Sequence, residues 1–90
     1  DFIISRGRLI VPLEIKAGKS GSLKSLHYIM QKKKLDYAIR FDMNLASKQE
    51  ISTTISLGTT LAKSEYCLLS LPLYAVEKLR EILDHIRMTG

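Results

Sequence analysis

Residues 1–16 read DFIISRGRLIVPLEIK. Two apolar, β-branched runs, Asp1 to Ile4 and Leu9 to Ile15, flank the segment SRGR. Such runs around a glycine-bearing turn predict a hairpin. With Gly7 and Arg8 as the two turn residues, Arg6 faces Leu9, Ile4 faces Val11, Phe2 faces Leu13 and Asp1 faces Glu14. Directly paired residues share one face of a sheet. Phe2, Ile4, Val11, Leu13 and Ile15 therefore form an apolar face, and Asp1, Glu14 and Lys16 fall on the other. Pro12 cannot donate to the ladder, so it needs an edge, a bulge or a non-bonded position.

The next residues, Ala17-Gly18-Lys19-Ser20-Gly21-Ser22, read as a turn, with Ser22 as a helix N-cap. Gly18-Lys19-Ser20 has the tail of a phosphate-binding loop, but that loop needs an earlier glycine where Leu13 stands, so the motif is rejected. Leu23, Leu26, Ile29 and Met30 follow helical spacing. Lys32, Lys33 and Lys34 suit the helix C-terminus, where cations meet the dipole. Tyr37–Asp42 alternates as a strand. Residues 43–64 are polar, rich in Ser, Thr and Lys, and read as a long loop with at most one short strand. The apolar run Tyr66–Leu71 reads as a strand covered on both faces. Pro72 then opens a helix at its tolerated first position. Leu73, Val76, Leu79, Leu83 and Ile86 form its buried stripe. The class is α/β, a mixed sheet with flanking helices.

The 90 residues make one small domain or part of one. The chain begins at Asp1, already in a strand, which reads as a piece of a longer protein. Cys67 is the only cysteine and lies in an apolar run, which fits a core residue in a reducing, cytoplasmic compartment. No apolar run reaches the ~20 residues of a membrane span. The net charge is +5, and residues 1–40 carry it, with nine Lys/Arg against three Asp/Glu. That asymmetry suggests a polyanionic partner, although a solvated lysine face reads equally well.

Glu14 and Lys16 are two apart in a strand and point the same way. Beside Asp1 they can be read as a metal site. Asp1, Glu14 and the Ile15 carbonyl offer the hard oxygens that Mg²⁺ takes. Lys16 is then placed to orient or deprotonate an attacking water, a layout for metal-assisted phosphodiester hydrolysis. The bland reading is a solvated Glu14–Lys16 pair at a strand end. Lys19 and Lys24 near the helix N-terminus, and Arg40 in mid-strand, are candidate phosphate contacts. For Arg40 a structural ion pair is the equal alternative. His27 and His85 have no partner at zinc spacing, and Tyr28 and Tyr74 read as packing residues.

The run of Asp1, twelve residues, then Glu14-Ile15-Lys16 resembles the PD-(D/E)xK nuclease superfamily. DFII, VPLEIKAGKSGSLKSLHYIM, YAIRFD and LLSLPLYAVEKL together resemble the C-terminal domain of unknown function of prokaryotic AAA-type ATPases. This resemblance spans nearly the whole chain. It implies a restriction-endonuclease-like fold whose first helix lies upstream, beside an ATPase domain that would hold ATP. It implies Asp1, Glu14 and Lys16 as catalytic triad, with Mg²⁺ or Mn²⁺ as cofactor and DNA as partner. Two alternatives to cleavage stand: an inactive DNA- or protein-binding module that directs the ATPase, and an oligomerisation domain docking through the helix 73–86.

Overall fold

The computed structural model describes residues 2–15, 23–43 and 45–89. Strands β1 (Phe2–Arg6) and β2 (Leu9–Ile15) form the expected antiparallel hairpin. The register is the one a Gly7-Arg8 turn dictates, from Arg6 opposite Leu9 to Phe2 opposite Leu13. Gly7 takes φ +64°, the left-handed value that a glycine-first two-residue turn requires. Helix α1 (Lys24–Lys33) follows, then strand β3 (Tyr37–Asp42). Ser22, expected as N-cap, lies outside the described residues. The helix ends as its lysines suggested. Lys34 turns left-handed at φ +52°, and the Leu35 N–H donates to the Met30 carbonyl at 3.1 Å, closing the last turn.

Residues 43–64 overturn the expectation of a loop. They contain strand β4 (Ser47–Leu57) and the start of strand β5 (Thr60–Pro72), joined by Gly58-Thr59. This is the longest hairpin among the described residues, paired without a break from Leu57 opposite Thr60 to Ser47 opposite Ser70. The residues are polar but not loop-like. Ile51, Thr53, Ile55 and Leu57 alternate half-buried with exposed Ser52, Thr54 and Ser56, and threonine is a β-branched strand former. Gly58 adopts φ +69° at the first turn position, as Gly7 does.

The sheet order is β1-β2-β3-β5-β4. Strands β2, β3 and β5 run parallel, with antiparallel β1 and β4 at the edges. The architecture is thus a five-stranded mixed sheet with a helix on each face. Pro72 does not open a helix; it is the last, extended residue of β5. A 3-10 helix, Leu73–Lys78, leads into helix α2 (Leu79–Thr89). Because residues 73–78 are not α-helical, the 3.6-residue spacing fails there. Val76 is 40% exposed and Ala75 packs inward instead. From Leu79 the stripe continues through Ile82, Leu83 and Ile86 as an α-helix demands.

Helix α2 covers an apolar cluster of Val11, Leu13, Ile39 and Phe41. Its apolar stripe packs on its own sheet. Ile15, expected on this face, lies at the strand end and is 45% exposed. Helix α1 covers the other face, packing Leu26 and Met30 on Ala38, Tyr66 and Leu68. Cys67 is buried, as expected of a core residue, and burial pushes its thiol up from the usual range. No described helix is long and apolar enough to cross a membrane.

Candidate functional site

Glu14 is the penultimate residue of β2, and parity turns it toward α1. It is 3% exposed. Its register partner on β3 is Arg40, Arg40's partner on β5 is Ser70, and Ser70's partner on β4 is Ser47. A polar row thus crosses the sheet at the C-terminal ends of its three parallel strands. That end is where open α/β sheets hold their ligands. Asp42, two residues beyond Arg40, extends the row on the same face and is equally buried.

Arg40 is buried, at 7% exposed. Its Nε stands 3.3 Å from Asp42 Oδ2, both side chains being almost fully buried. The approach is an ion pair but not an aligned hydrogen bond. Arg40 Nε and Nη2 have no hydrogen-bond partner among the described residues. The structural ion pair weighed for Arg40 is therefore present, with Asp42. Nε has only the ion pair, and the buried Nη2 remains available to a further acceptor. Such groups are costly to leave unsatisfied.

Tyr66 and His27 complete the polar layer under α1. The Tyr66 hydroxyl and His27 Nδ1 are 2.7 Å apart. Burial, and after it the Glu14 carboxylate, push the Tyr66 phenol up to about 12. Burial lowers His27 from its ordinary 6.5. At neutral pH the pair is therefore a phenol and a neutral imidazole sharing one hydrogen bond. The Ser64 hydroxyl donates to the His27 carbonyl at 2.7 Å and ties α1 to β5.

Lys24 opens α1 and is exposed. With His27 and Tyr28 it lines a groove of about 540 Å³ whose far wall is Thr53–Ser56 of β4. Lys32 Nζ lies 5.7 Å from the centre of the Tyr28 ring, a cation–π contact that gives this lysine a structural role.

Of the residues singled out from the sequence, Glu14, Ile15, Lys24 and Arg40 are described. Asp1, Lys16 and Lys19 lie outside the described residues. The structure brings Glu14 and Arg40 together. It sets Lys24 apart, at the groove between α1 and β4. Among the described residues no three His, Cys, Asp or Glu side chains form a metal-binding group. Sequence reasoning passed over Asp42, Ser70 and Tyr66. Asp42 was within reach of it, because alternation in YAIRFD puts Ala38, Arg40 and Asp42 on one face.

Comparison with protein-family models, curated proteins and solved structures finds no match for this chain.

Proposed function

We propose that this chain is a nuclease-like domain of the PD-(D/E)xK type, the C-terminal part of an AAA-type ATPase, acting on DNA phosphodiesters. The observation that supports it best is the buried row Glu14–Arg40–Ser70 at the carboxyl ends of β2, β3 and β5. A hairpin whose second strand ends just past Glu14, followed by a helix and a parallel strand, agrees with a restriction-endonuclease-like core.

The donor chemistry fits Mg²⁺ or Mn²⁺, which take carboxylate and carbonyl oxygens. Glu14, Asp1 and the Ile15 carbonyl would hold it. Bound there, such an ion polarises the phosphate and lowers the pKa of a water. Glu14 is held in place by its burial and by its strand. Lys16, the lysine of the E-x-K motif, would supply a cation for phosphate charge or a base for the water. The exposed Lys24 lies outside that layer and suits a backbone phosphate.

A second reading has an observation of its own. Arg40 is the register partner of Glu14 and the ion-pair partner of Asp42, so a fixed cation already offsets the carboxylates of the row. A site so balanced serves a non-catalytic module that binds DNA or protein and directs the ATPase.

The experiment is metal-dependent cleavage of supercoiled, linear and branched DNA by the protein and by its Glu14→Gln and Lys16→Ala variants. Cleavage requiring metal and lost in both folded variants is the expected result. DNA binding without cleavage, weakening linearly in log–log with added salt, selects the second reading. Neither cleavage nor DNA binding overturns the nuclease reading and the DNA-binding form of the second.

A further inference from the structure

The two edges of the sheet are built differently. Edge β1 is five residues long, and its last residue, Arg6, is held to α2 by a 2.8 Å bond from Nε to Asp84 Oδ1. Edge β4 is eleven residues long and pairs without a bulge along its whole length with β5. From Ile51 to Leu57 it carries no charge, no proline and no glycine. Natural proteins protect exposed edges with charges, prolines, bulges or short strands. The segment 51–57 has none of these, and a second strand would satisfy it.

The pairing of such a strand can be worked out. In a two-residue hairpin the residues flanking the turn, Leu57 and Thr60, form a hydrogen-bonded pair, and bonded pairs then recur at every second position. Ile51, Thr53 and Ile55 therefore direct their N–H and C=O groups to β5. Ser52, Thr54 and Ser56 direct theirs to the open edge. Two copies of β4 meeting antiparallel are related by a twofold axis perpendicular to the sheet, which keeps the α1 faces on one side. Paired residues must then share a face, so the axis passes through a residue and not between two.

Centring on Thr53 sets Ile51 opposite the second copy's Ile55, twice by symmetry, and Thr53 opposite itself. The outward groups also match, Ser52 with Thr54 and Glu50 with Ser56. Centring on Ser52 sets both isoleucines against polar residues, and centring on Thr54 sets Ile55 against Thr53 and leaves only Ile51 with an apolar partner, Leu57 beside the turn. On the opposite face, Lys63 stands beside Thr54 and Glu65 beside Ser52. The twofold aligns Lys63 of one copy with Glu65 of the other in one row, so each row that crosses the join carries unlike charges on its two sides. The half-exposed Tyr28 ring and Ile55 border the groove beside this edge. A partner strand would lay its own Ile51 and Ile55 along that side.

We propose that β4 is a docking edge for a second copy of this chain, and that the two sheets join into one of ten strands, centred on Thr53. This interface does not depend on the nuclease reading.

The test is sedimentation equilibrium of the 90-residue chain up to roughly 1 mM, where even a weak dimer is populated. The mass of two chains is expected. Thr54→Pro removes an N–H that β5 does not use, and Thr54→Lys places a charge on the edge; each should give the mass of one chain with an unchanged circular dichroism spectrum. On oxidation the Thr53→Cys variant should crosslink the dimer, because facing non-bonded positions lie at disulfide distance, whereas the Thr54→Cys variant should not. A single-chain mass at every concentration overturns the proposal. So does a dimer that survives Thr54→Lys, or one that crosslinks in the Thr54→Cys variant but not in the Thr53→Cys variant.

Discussion

The two faces of one sheet hold their helices by different means. Under α2 the contact is apolar, with Val11, Leu13, Ile39, Phe41, Leu83 and Ile86 at its centre. Its ion pair, Arg6–Asp84, sits at the rim, where both side chains stay partly exposed. Under α1 a smaller apolar cluster shares the layer with Glu14, Arg40, Asp42, Ser64 and Ser70, all buried. Removing charge from water is expensive, and apolar residues of similar volume would often serve stability as well or better. The α2 face therefore does the holding. The α1 face gives up stability to keep charge at the ends of the parallel strands, which is why we place function there.

The comparison can be broken by substitution. Phe41→Ala, at the centre of the α2 face, should cost about 4 kcal/mol by removing a fully buried ring and leaving a cavity. Urea unfolding measures it, and a loss under about 1.5 kcal/mol would mean that this face is not the main support. Arg40→Met, on the α1 face, should cost about 3 kcal/mol, because the buried Asp42 carboxylate loses its ion-pair partner. A stabilised Arg40→Met would show the row to be better without charge, and the contrast between the faces would fail.

The smallest effect sharpens the comparison. Burial lowers the His27 pKa, so the unfolded chain binds this proton more readily than the folded one. The contribution of neutral His27 is thus complete above its ordinary 6.5 and lost as pH falls through the lower folded value. Stability measured between about pH 7.5 and about pH 5 should fall on the acid side, and His27→Gln should flatten part of that slope. An unchanged slope would detach His27 from the polar layer. No such slope is expected from the apolar α2 face.

Much of this was legible in the residues. The β1–β2 register followed from Gly7 and from period-two alternation, and the end of α1 from its three lysines. The α/β class followed from the order of patterns. Tyr74, read as a packing residue, is 80% exposed, and three further readings failed through a competing local effect. Polar composition hid β4, since Ser and Thr mark loops and exposed strands alike. Pro72 fits the last residue of a strand as well as the start of a helix. Val76 fell off the stripe because its turn winds as a 3-10 helix. At the candidate site, Glu14 was marked by E-x-K and Arg40 by its strand, but the burial of Arg40 beside Asp42 was not foreseen.

What the sequence determined by itself is local: turn chemistry sets a hairpin's register, and side-chain periodicity sets which residues share a face. Those interactions span a few residues and are encoded next to one another. What only the tertiary structure decided is the row Glu14–Arg40–Ser70 and the long open edge β4. Each depends on strands far apart in the chain coming into register, and on β5 entering between β3 and β4. No local propensity specifies that order; it is set by burying both faces of the parallel strands at once.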